Sequence, residues 1–450
     1  MRFKVQWQAF TAVGREASRS AGCSSSRPPR SSAPSAVTVS VVGLRWLTLL
    51  AIALPAIVGG CSEAAGRADN FAVRDSAGVQ IAENGGPAWA DDEVWRLGAA
   101  PMLSIGEAEG APEYLLSEVR SVWRLESGEI VATSGTSEFR HFDATGRHLR
   151  TVGKRGGGPG EFQMLSWVQP VAGDSILAYD MAARRLSIFA PDGAFVRSTA
   201  LEGSPETGTP QLLGALGDRS LVGSVGSSIG RGPAVGTDGL VRGAQDFLHL
   251  AASGETLDTI SRQPGSERFI QSQSSSGQIT SISVMATLFG RSQVATVAGD
   301  RIILGGNDSY QLEVYTQDGR LERVIRRDVP PRPVTEDDLE SALQARLEAI
   351  SDPARRENMD REYRKMPLPQ TMPFYQAALA DEEGNLWVQD YSPGEPPAGW
   401  SVFDPEGRFL GTVAMPDRFR PQQIGEDFML GVARDELDVE RVQIYPLEKP

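Results

Sequence analysis

Hydrophobic and polar residues alternate along this chain in short runs, and glycine-containing turns separate the runs. The stretch from Glu118 to Val152 reads EVRSVWRLESGEIVATSGTSEFRHFDATGRHLRTV, and Trp167 to Ala200 repeats its plan. In both stretches a glycine turn precedes a strand that contains isoleucine, and a turn of the form F-x-x-x-G joins the last two strands. An alternation with a period of two between turns is typical of β-strands, so each stretch predicts a four-stranded sheet.

Further units follow the same plan with more variation. The third combines Gln211–Val222 with Gln245–Ile260, the fourth is Val294–Ile325 and the fifth is Tyr375–Val413. The C-terminal sequence IGEDFMLGVARDELDVERVQIYPL predicts three more strands, and the alternation from Phe71 to Ile81 predicts a hairpin.

These repeats predict an all-β fold, because a lone four-stranded unit cannot bury both faces but a closed ring of units can. Five repeats and two terminal remnants predict a six-bladed β-propeller over residues 71–450. The incomplete ends predict closure by N- and C-terminal strands, with Phe71–Ile81 and Val439–Tyr445 in one blade. At about 63 residues per blade the units exceed the roughly 40 to 50 of compact propeller repeats, which predicts insertions. The three insertions are Gly223–Arg242, Gln263–Arg291 and Pro330–Pro373.

The last insertion changes its hydrophobic period from two to 3.6. Leu339, Leu343, Leu347 and Ile350 would share one helical face, and Thr335-x-x-Asp338 is a capping-box sequence before them. Because Pro353 interrupts this pattern, we expect two helices within residues 332–368. The pair would either pack against the sheets or cover the central channel.

The N-terminal 60 residues differ from the rest in composition. Residues 41–60 read VVGLRWLTLLAIALPAIVGG, an apolar run with one arginine that ends in small residues before Cys61. This junction resembles the lipobox of bacterial lipoproteins, which implies that Cys61 is lipidated and that residues 61–70 form a tether. The alternative is a transmembrane anchor, which 20 residues could span. Residues 1–40 are rich in Ser, Arg and Pro and suit an over-extended start of the reading frame.

Charge is distributed unevenly about this junction. Residues 1–60 hold seven Lys/Arg and one Glu, so the remaining chain carries 37 basic and 57 acidic residues, about −20 in net charge. Such a surface repels phosphate backbones, which argues against a nucleic-acid partner. The two cysteines are Cys23 and Cys61, so a chain processed at Cys61 would have no pair for a disulfide.

A glycine-rich stretch, GKRGGGPGEF from Gly153 to Phe162, separates the first two repeats. Its glycines predict a special turn, Phe162 would fill the seam between neighbouring sheets, and Glu161 would accept backbone N–H groups. It matches no nucleotide-binding loop. Together with the turns at Asp192-Gly193 and Asp318-Gly319 it resembles the NHL-type six-bladed propellers. The lipobox and the C-terminal sequence from Gly431 to Val442 resemble bacterial six-bladed propeller lipoproteins. This resemblance implies a fold and a cellular location but no catalytic residues.

Three polar residues follow inner strands at similar places in three repeats. They are Asp180, Asn307 and Asp390. Because calcium prefers oxygen ligands from several elements, these side chains could hold Ca²⁺ at one rim of the channel, as propeller lactonases do. Acidic residues at strand ends are also ordinary turn formers. No DxDxDG loop is present.

Histidine and tryptophan suggest no further site. The three histidines, His141, His148 and His249, are too few for a His-ligated metal around a channel, and we expect them at the surface. Trp123 and Trp387 occupy strand positions where packing between blades is expected.

The sequence therefore favours a binding module over an enzyme. We expect a propeller in the bacterial cell envelope, attached to a membrane by lipid and facing the periplasm or the exterior. Its partner would be a protein or a glycan, recognised by loops such as Gly223–Arg242 or Pro330–Pro373. The alternative is a propeller hydrolase or lactonase with a channel-bound calcium, and no other cofactor is predicted.

Overall fold

A computed structural model describes residues 70–201, 209–226, 238–275, 278–348, 350–393 and 399–450. One compact unit runs from Ala65 to Pro450. The predicted leader, Cys61 and all of the tether except Asn70 lie outside the described residues.

The described chain is mostly β-strand. The strands before residue 201 are β1 (Phe71–Ser76), β2 (Val79–Asn84), β3 (Arg96–Leu97), β4 (Leu103–Ile105), β5 (Val122–Arg124), β6 (Ile130–Ser134), β7 (Glu138–Phe142), β8 (His148–Val152), β9 (Leu165–Val171), β10 (Ser175–Asp180), β11 (Arg185–Phe189) and β12 (Phe195–Ala200). Those from 211 to 327 are β13 (Gln211–Ala215), β14 (Leu221–Gly226), β15 (Gly239–Leu250), β16 (Thr256–Ser275), β17 (Gln278–Ala286), β18 (Gln293–Ala298), β19 (Arg301–Gly306), β20 (Gln311–Thr316) and β21 (Leu321–Arg327). Two helices follow, α1 (Glu336–Glu348) and α2 (Pro353–Arg364). The remaining strands are β22 (Tyr375–Ala380), β23 (Leu386–Asp390), β24 (Trp400–Phe403), β25 (Phe409–Val413), β26 (Phe419–Ile424), β27 (Phe428–Arg434) and β28 (Glu440–Glu448).

Within the described residues these strands form six sheets. Five are built on antiparallel meanders that begin at β5, β9, β13, β18 and β22, and the sixth contains β26, β27 and β28. Each of the five predicted repeats corresponds to one meander. The sheets built on β5, β9 and β22 have four strands, as the period-two pattern predicts.

The N-terminal hairpin does not pair as predicted. Strand β2 runs parallel to β21 on the outside of the β18–β21 sheet, with Ile81 opposite Val324. The place beside β28 is taken instead by β4, which sets Leu103 opposite Ile444. Both pairings bury apolar side chains: β4 brings Ile105 into the apolar layer with Ile444, and β2 buries Ile81 and Ala82 beside β21. The pairing of Phe71–Ile81 with Val439–Tyr445 was therefore wrong.

Apolar side chains fill the spaces between neighbouring sheets. Six clusters of buried residues each draw on two sheets. One of them joins the C-terminal sheet to the first one, through Phe428 and Phe142. The first strands also contact one another in succession, with β26 against β5. At the β9 to β13 step, the Gln169 amide exchanges hydrogen bonds of 3.0 and 2.9 Å with backbone atoms of Ala215.

The glycine-rich stretch after β8 has the structure expected of it. Gly153 has a φ of +90°, and a Cβ there would lie 2.6 Å from the Phe162 ring. Phe162 is fully buried in the layer between the β5–β8 and β9–β12 sheets, which confirms its predicted place. Glu161 accepts a hydrogen bond of 2.8 Å from the Gly158 N–H, as predicted.

The predicted insertion Gln263–Arg291 is largely strand rather than loop. Strands β15, β16 and β17 continue well beyond their neighbours in one sheet, and Ile270 lies opposite Val284. The sequence shows little sign of the length of β16, because serine and glutamine are frequent near its end, although Ile282 and Val284 alternate with serines in β17. In the predicted insertion Gly223–Arg242, residues 227–237 lie outside the described residues.

Helices α1 and α2 lie within residues 332–368. The Thr335 hydroxyl and the Asp338 carboxylate exchange hydrogen bonds with each other's backbone N–H, at 3.2 and 3.0 Å, as a capping box does. Leu343 is buried against Leu288 and Phe289, so α1 packs on the segment between β17 and β18. Neither helix, within the part of the chain that the structure describes, is long and apolar enough to cross a membrane.

Candidate functional site

The three predicted calcium ligands lie at corresponding ends of three sheets. Asp180 ends β10 opposite the first residue of β9, and Asp390 ends β23 opposite the first residue of β22. Asn307 directly follows β19, whose last residue faces the first residue of β18. Each side chain has hydrogen-bond partners within the protein.

Asp180 is fully buried and organises two turns. Its carboxylate accepts backbone N–H bonds from Gln163 at 2.7 Å, Met164 at 3.0 Å and Ala183 at 3.0 Å. These bonds fix the segment that follows the glycine-rich stretch against the turn between β10 and β11. A turn-forming role therefore accounts for all three contacts.

Asn307 joins two sheets through its amide. Its oxygen accepts the Ser292 N–H at 2.8 Å, and its nitrogen donates to the Tyr375 carbonyl at 3.0 Å. Tyr375 begins the next sheet, so this side chain links the starts of β18 and β22.

Asp390 lies in a polar network between the same two sheets. Its carboxylate accepts hydrogen bonds from the Tyr310 hydroxyl at 2.8 Å and the Ser401 hydroxyl at 3.0 Å, and Arg327 Nη1 is 3.8 Å away. Burial raises the pKa of Asp390 above its usual range and raises that of Tyr310 well above its own. Asn307 and Asp390 thus flank one interface, whereas Asp180 belongs to another sheet.

No group of three or more His, Cys, Asp or Glu side chains in the described residues could hold a metal ion. Each predicted calcium ligand already serves hydrogen-bond donors of its own. Calcium at these positions therefore stays a prediction.

A cavity of about 710 Å³ opens beside the Asp390 network. Its walls come from the start of β1, the end of β2, the turn between β19 and β20, the end of β21 and the segment that leads into β22. Three aromatic residues contribute, which are Phe71, Tyr310 and Phe374. The polar wall consists of Asn70, Glu83, Asn84, Ser309, Gln311, Arg326, Arg327 and Asp328. A volume of this size falls in the range of small-molecule sites, roughly 300 to 1,000 Å³.

Arg327 connects the cavity to the buried network. Its guanidinium lies 3.8 Å above the centre of the Phe409 ring and donates to the Ser401 hydroxyl at 2.9 Å. Stacking on one face and bonding at one edge restrict the side chain, which is only 19% exposed. The cavity thus has a guanidinium held in a defined orientation.

The second arginine of the wall is paired within the wall. Arg326 Nη1 lies 3.2 Å from the Glu83 carboxylate, and Nε donates to the Gln311 side chain at 2.8 Å. Arg74 of β1 contacts the same glutamate at 3.4 Å. These contacts hold the N-terminal hairpin to β21 and keep the charge of this wall balanced.

Asn84 fixes the corner where the hairpin ends. Its nitrogen donates to the carbonyls of Arg326 at 3.0 Å and Gly407 at 2.8 Å, and its oxygen accepts the Phe409 N–H at 2.7 Å. One buried amide therefore binds the hairpin to two sheets. The sequence analysis missed this residue, although Asn84-Gly85-Gly86 is an evident strand end.

A second polar cluster ties the inserted segments to the same turn. Arg242 of β15 makes two hydrogen bonds to the Asp308 carboxylate, at 2.9 and 2.8 Å. Arg291 approaches the same carboxylate at 3.5 Å and donates to the Thr371 hydroxyl at 2.8 Å. The long strands and the helical insertion are thereby anchored beside the turn that forms one cavity wall.

The histidine prediction was wrong for one of the three residues. His141 is fully buried, with Nδ1 3.0 Å from Glu129 Oε2 and 2.8 Å from Arg150 Nη2. Burial lowers the pKa of His141. Trp387 is fully buried and Trp123 donates to the Val168 carbonyl at 2.6 Å, which confirms both as packing residues.

No family model matches the chain, and no curated protein matches it in sequence. Among solved structures it is similar to an exported protein from Bacteroides fragilis, at 13% identity and a TM-score of 0.45, over 82% of this chain and 99% of that one. It is similar to a DUF4221 family member from Bacteroides vulgatus, at 12% identity and a TM-score of 0.46, over 79% and 98%. Virginiamycin B lyase from Staphylococcus aureus gives 9% identity and a TM-score of 0.37, over 79% and 99%.

Proposed function

We propose that the six sheets are the blades of a closed six-bladed propeller. Six sheets that share six apolar layers support closure, because an open row of six sheets would share only five. The pairing of β4 with β28 supports it as well, since it joins an early strand to the last one.

We propose that this propeller is a binding module and that the cavity beside β21 is its ligand site. The proposal rests on which segments of the chain form the cavity walls. The N-terminal hairpin and the segment from Asp328 to Phe374 lie outside the repeating meanders, and both contribute to the cavity. Segments added to a rigid β-frame are where recognition is usually found.

The matched pair Ala72→Trp and Val73→Trp tests this site. Ala72 lines the cavity, whereas its neighbour Val73 on β1 is exposed and is not among the lining residues. The detergent-solubilised full chain is titrated with envelope peptides and glycans, and binding is measured by calorimetry. We expect Ala72→Trp to abolish binding of any true ligand and Val73→Trp to leave it unchanged. A ligand that ignores both substitutions would place the site elsewhere.

We propose that Cys61 carries a lipid that holds the protein at a membrane, facing the periplasm or the exterior of a bacterial cell. The small residues before Cys61 and the apolar run of residues 41–60 support this. A clickable fatty acid supplied to the native host should label the protein, and Cys61→Ala should remain unlabelled. Label retained by the variant would contradict the assignment.

A hydrolase or lactonase with bound calcium is the second candidate. It is favoured by the corresponding positions of Asp180, Asn307 and Asp390 at the ends of their strands. Elemental analysis of the purified full chain, followed by calcium titration, tests it. Stoichiometric, tightly held calcium would support the enzyme over the binding module.

A further inference from the structure

We infer that the cavity takes an uncharged saccharide unit of an envelope glycan. This inference rests on the proposed function and names the ligand class for that same site. Three properties of the wall carry it, namely its charge balance, its aromatic rings and its mixture of hydrogen-bond donors and acceptors.

The charges of the wall are balanced. It contains two arginines and two acids, and one pair of these, Arg326 and Glu83, is in contact at 3.2 Å. Arg327 is compensated from behind by the Asp390 carboxylate at 3.8 Å. The two arginines and the two acids of the wall, Glu83 and Asp328, sum to zero formal charge, and the acidic body around the cavity disfavours a free anion. An ionic ligand would have to break these pairs, whereas an uncharged ligand would not.

Aromatic rings contribute part of the apolar surface. Phe71 and Phe374 are both partly exposed in the wall, and Phe374 meets the Tyr310 ring edge-to-face at 6.5 Å. The face of an aromatic ring carries partial negative charge. The C–H groups on one face of a sugar ring are weakly positive and apolar, so they pack favourably on such a ring.

The polar groups of the wall suit hydroxyl groups. Asn70 and Ser309 each carry both donors and acceptors, whereas the Gln311 side chain accepts from Arg326 and one Arg327 nitrogen donates to Ser401. A sugar hydroxyl both donates and accepts, so it can satisfy every member of this set. A carboxylate accepts only, so it would leave the acceptors of the wall without a partner from the ligand.

The test uses the full chain in a zwitterionic detergent, because maltoside detergents present a sugar headgroup. Three neutral disaccharides, cellobiose, maltose and N,N′-diacetylchitobiose, are titrated beside glucuronate, glucosamine and an uncharged hexapeptide. We expect a neutral disaccharide to bind. Ala72→Trp should abolish its binding, Val73→Trp should retain it, and Phe374→Ala should weaken it by about 3- to 10-fold, the range of an aromatic contact.

The outcomes separate this inference from the proposed function. If only the charged sugars or the peptide bind, and Ala72→Trp blocks them, the saccharide inference fails while the binding site stands. If Ala72→Trp changes the binding of neither the neutral disaccharides nor the charged sugars and the peptide, both the saccharide inference and the proposed binding site fail. Circular dichroism and melting temperatures check that the variants fold. Should Phe374→Ala unfold, the pair on exposed β1 still decides the question, because neither Ala72 nor Val73 is buried.

Discussion

Replacing Asp180 by alanine should lower the stability of the protein without changing its calcium content. The carboxylate accepts three backbone N–H groups, from Gln163, Met164 and Ala183, and is itself fully buried. Alanine would leave all three donors without their acceptor. Asp180→Asn keeps one carbonyl oxygen and should fall between wild type and alanine.

The magnitude follows from the number of donors. Leaving a buried donor unsatisfied costs about 1 to 3 kcal/mol. Gln163 and Met164 are exposed, so water recovers part of the loss there, and we expect about 3 to 5 kcal/mol in total. The entropy of unfolding about 380 residues is roughly 0.8 kcal/mol per kelvin at the melting temperature. A loss of about 4 kcal/mol then lowers the melting temperature by about 5 °C.

Differential scanning calorimetry measures the shift, and elemental analysis of the same samples measures calcium. Asp192→Ala is the matched control, because that side chain accepts a single N–H bond, 2.9 Å from Ala194, in an exposed turn of the same sheet. We expect the control to change stability by less than about 1 kcal/mol. An unchanged melting temperature together with lost stoichiometric calcium would refute the structural role of Asp180.

Three further predictions follow from the contacts. Removing Glu440–Pro450 should abolish cooperative melting, because β28 pairs with β4. Removing Phe71–Asn84 should leave a folded protein, since this hairpin lies on the outside of its sheet. An equal loss of melting temperature in both deletions would contradict this prediction. Burial holds the pKa of His141 below its ordinary value of 6.5, so protonation costs stability as pH falls below about 6.5, and His141→Phe should flatten that loss in urea titrations. Because the pKa of Asp390 is raised, the folded state binds the Asp390 proton more tightly than the unfolded state does. The wild type should therefore lose stability relative to Asp390→Asn as pH rises from 4 to 7. A stability difference that stays constant over this range would contradict the prediction.

The repeated sheets could be predicted because their determinants are local. Each meander has alternating residues and turns such as Asp143 to Gly146, where the Asp143 carboxylate accepts the Thr145 N–H and glycine takes a φ of +85°. The same holds for Glu161, whose partner Gly158 lies three residues away, and the glycine-rich turn marks the place of Phe162. The helices could also be predicted, since a capping box and a period of 3.6 need no distant partner.

The partner of the N-terminal hairpin could not be predicted in this way. The hairpin pairs in parallel with β21, some 240 residues away, and nothing in the alternation of Phe71 to Ile81 distinguishes β21 from β28. The cavity has the same difficulty, since five distant segments build it. The link from Arg327 to Ser401 and Asp390 likewise depends on how two sheets meet. The sequence shows that Asp390 lies at a strand end, which is why it was predicted to bind calcium. It does not show that Tyr310 and Ser401 donate hydrogen bonds to Asp390.

The late position of β28 has a consequence for the order of events during folding. Leu103 to Ile105 find their partners only at Val442 to Ile444, which are synthesised about 340 residues later. Until then, part of the apolar layer beneath Phe142 lacks its other half, and the early sheets offer an unpaired edge to any strand nearby. Contacts of such long sequence separation close slowly and leave intermediates prone to aggregation. Protection of the early chain should therefore be needed until β28 has been synthesised.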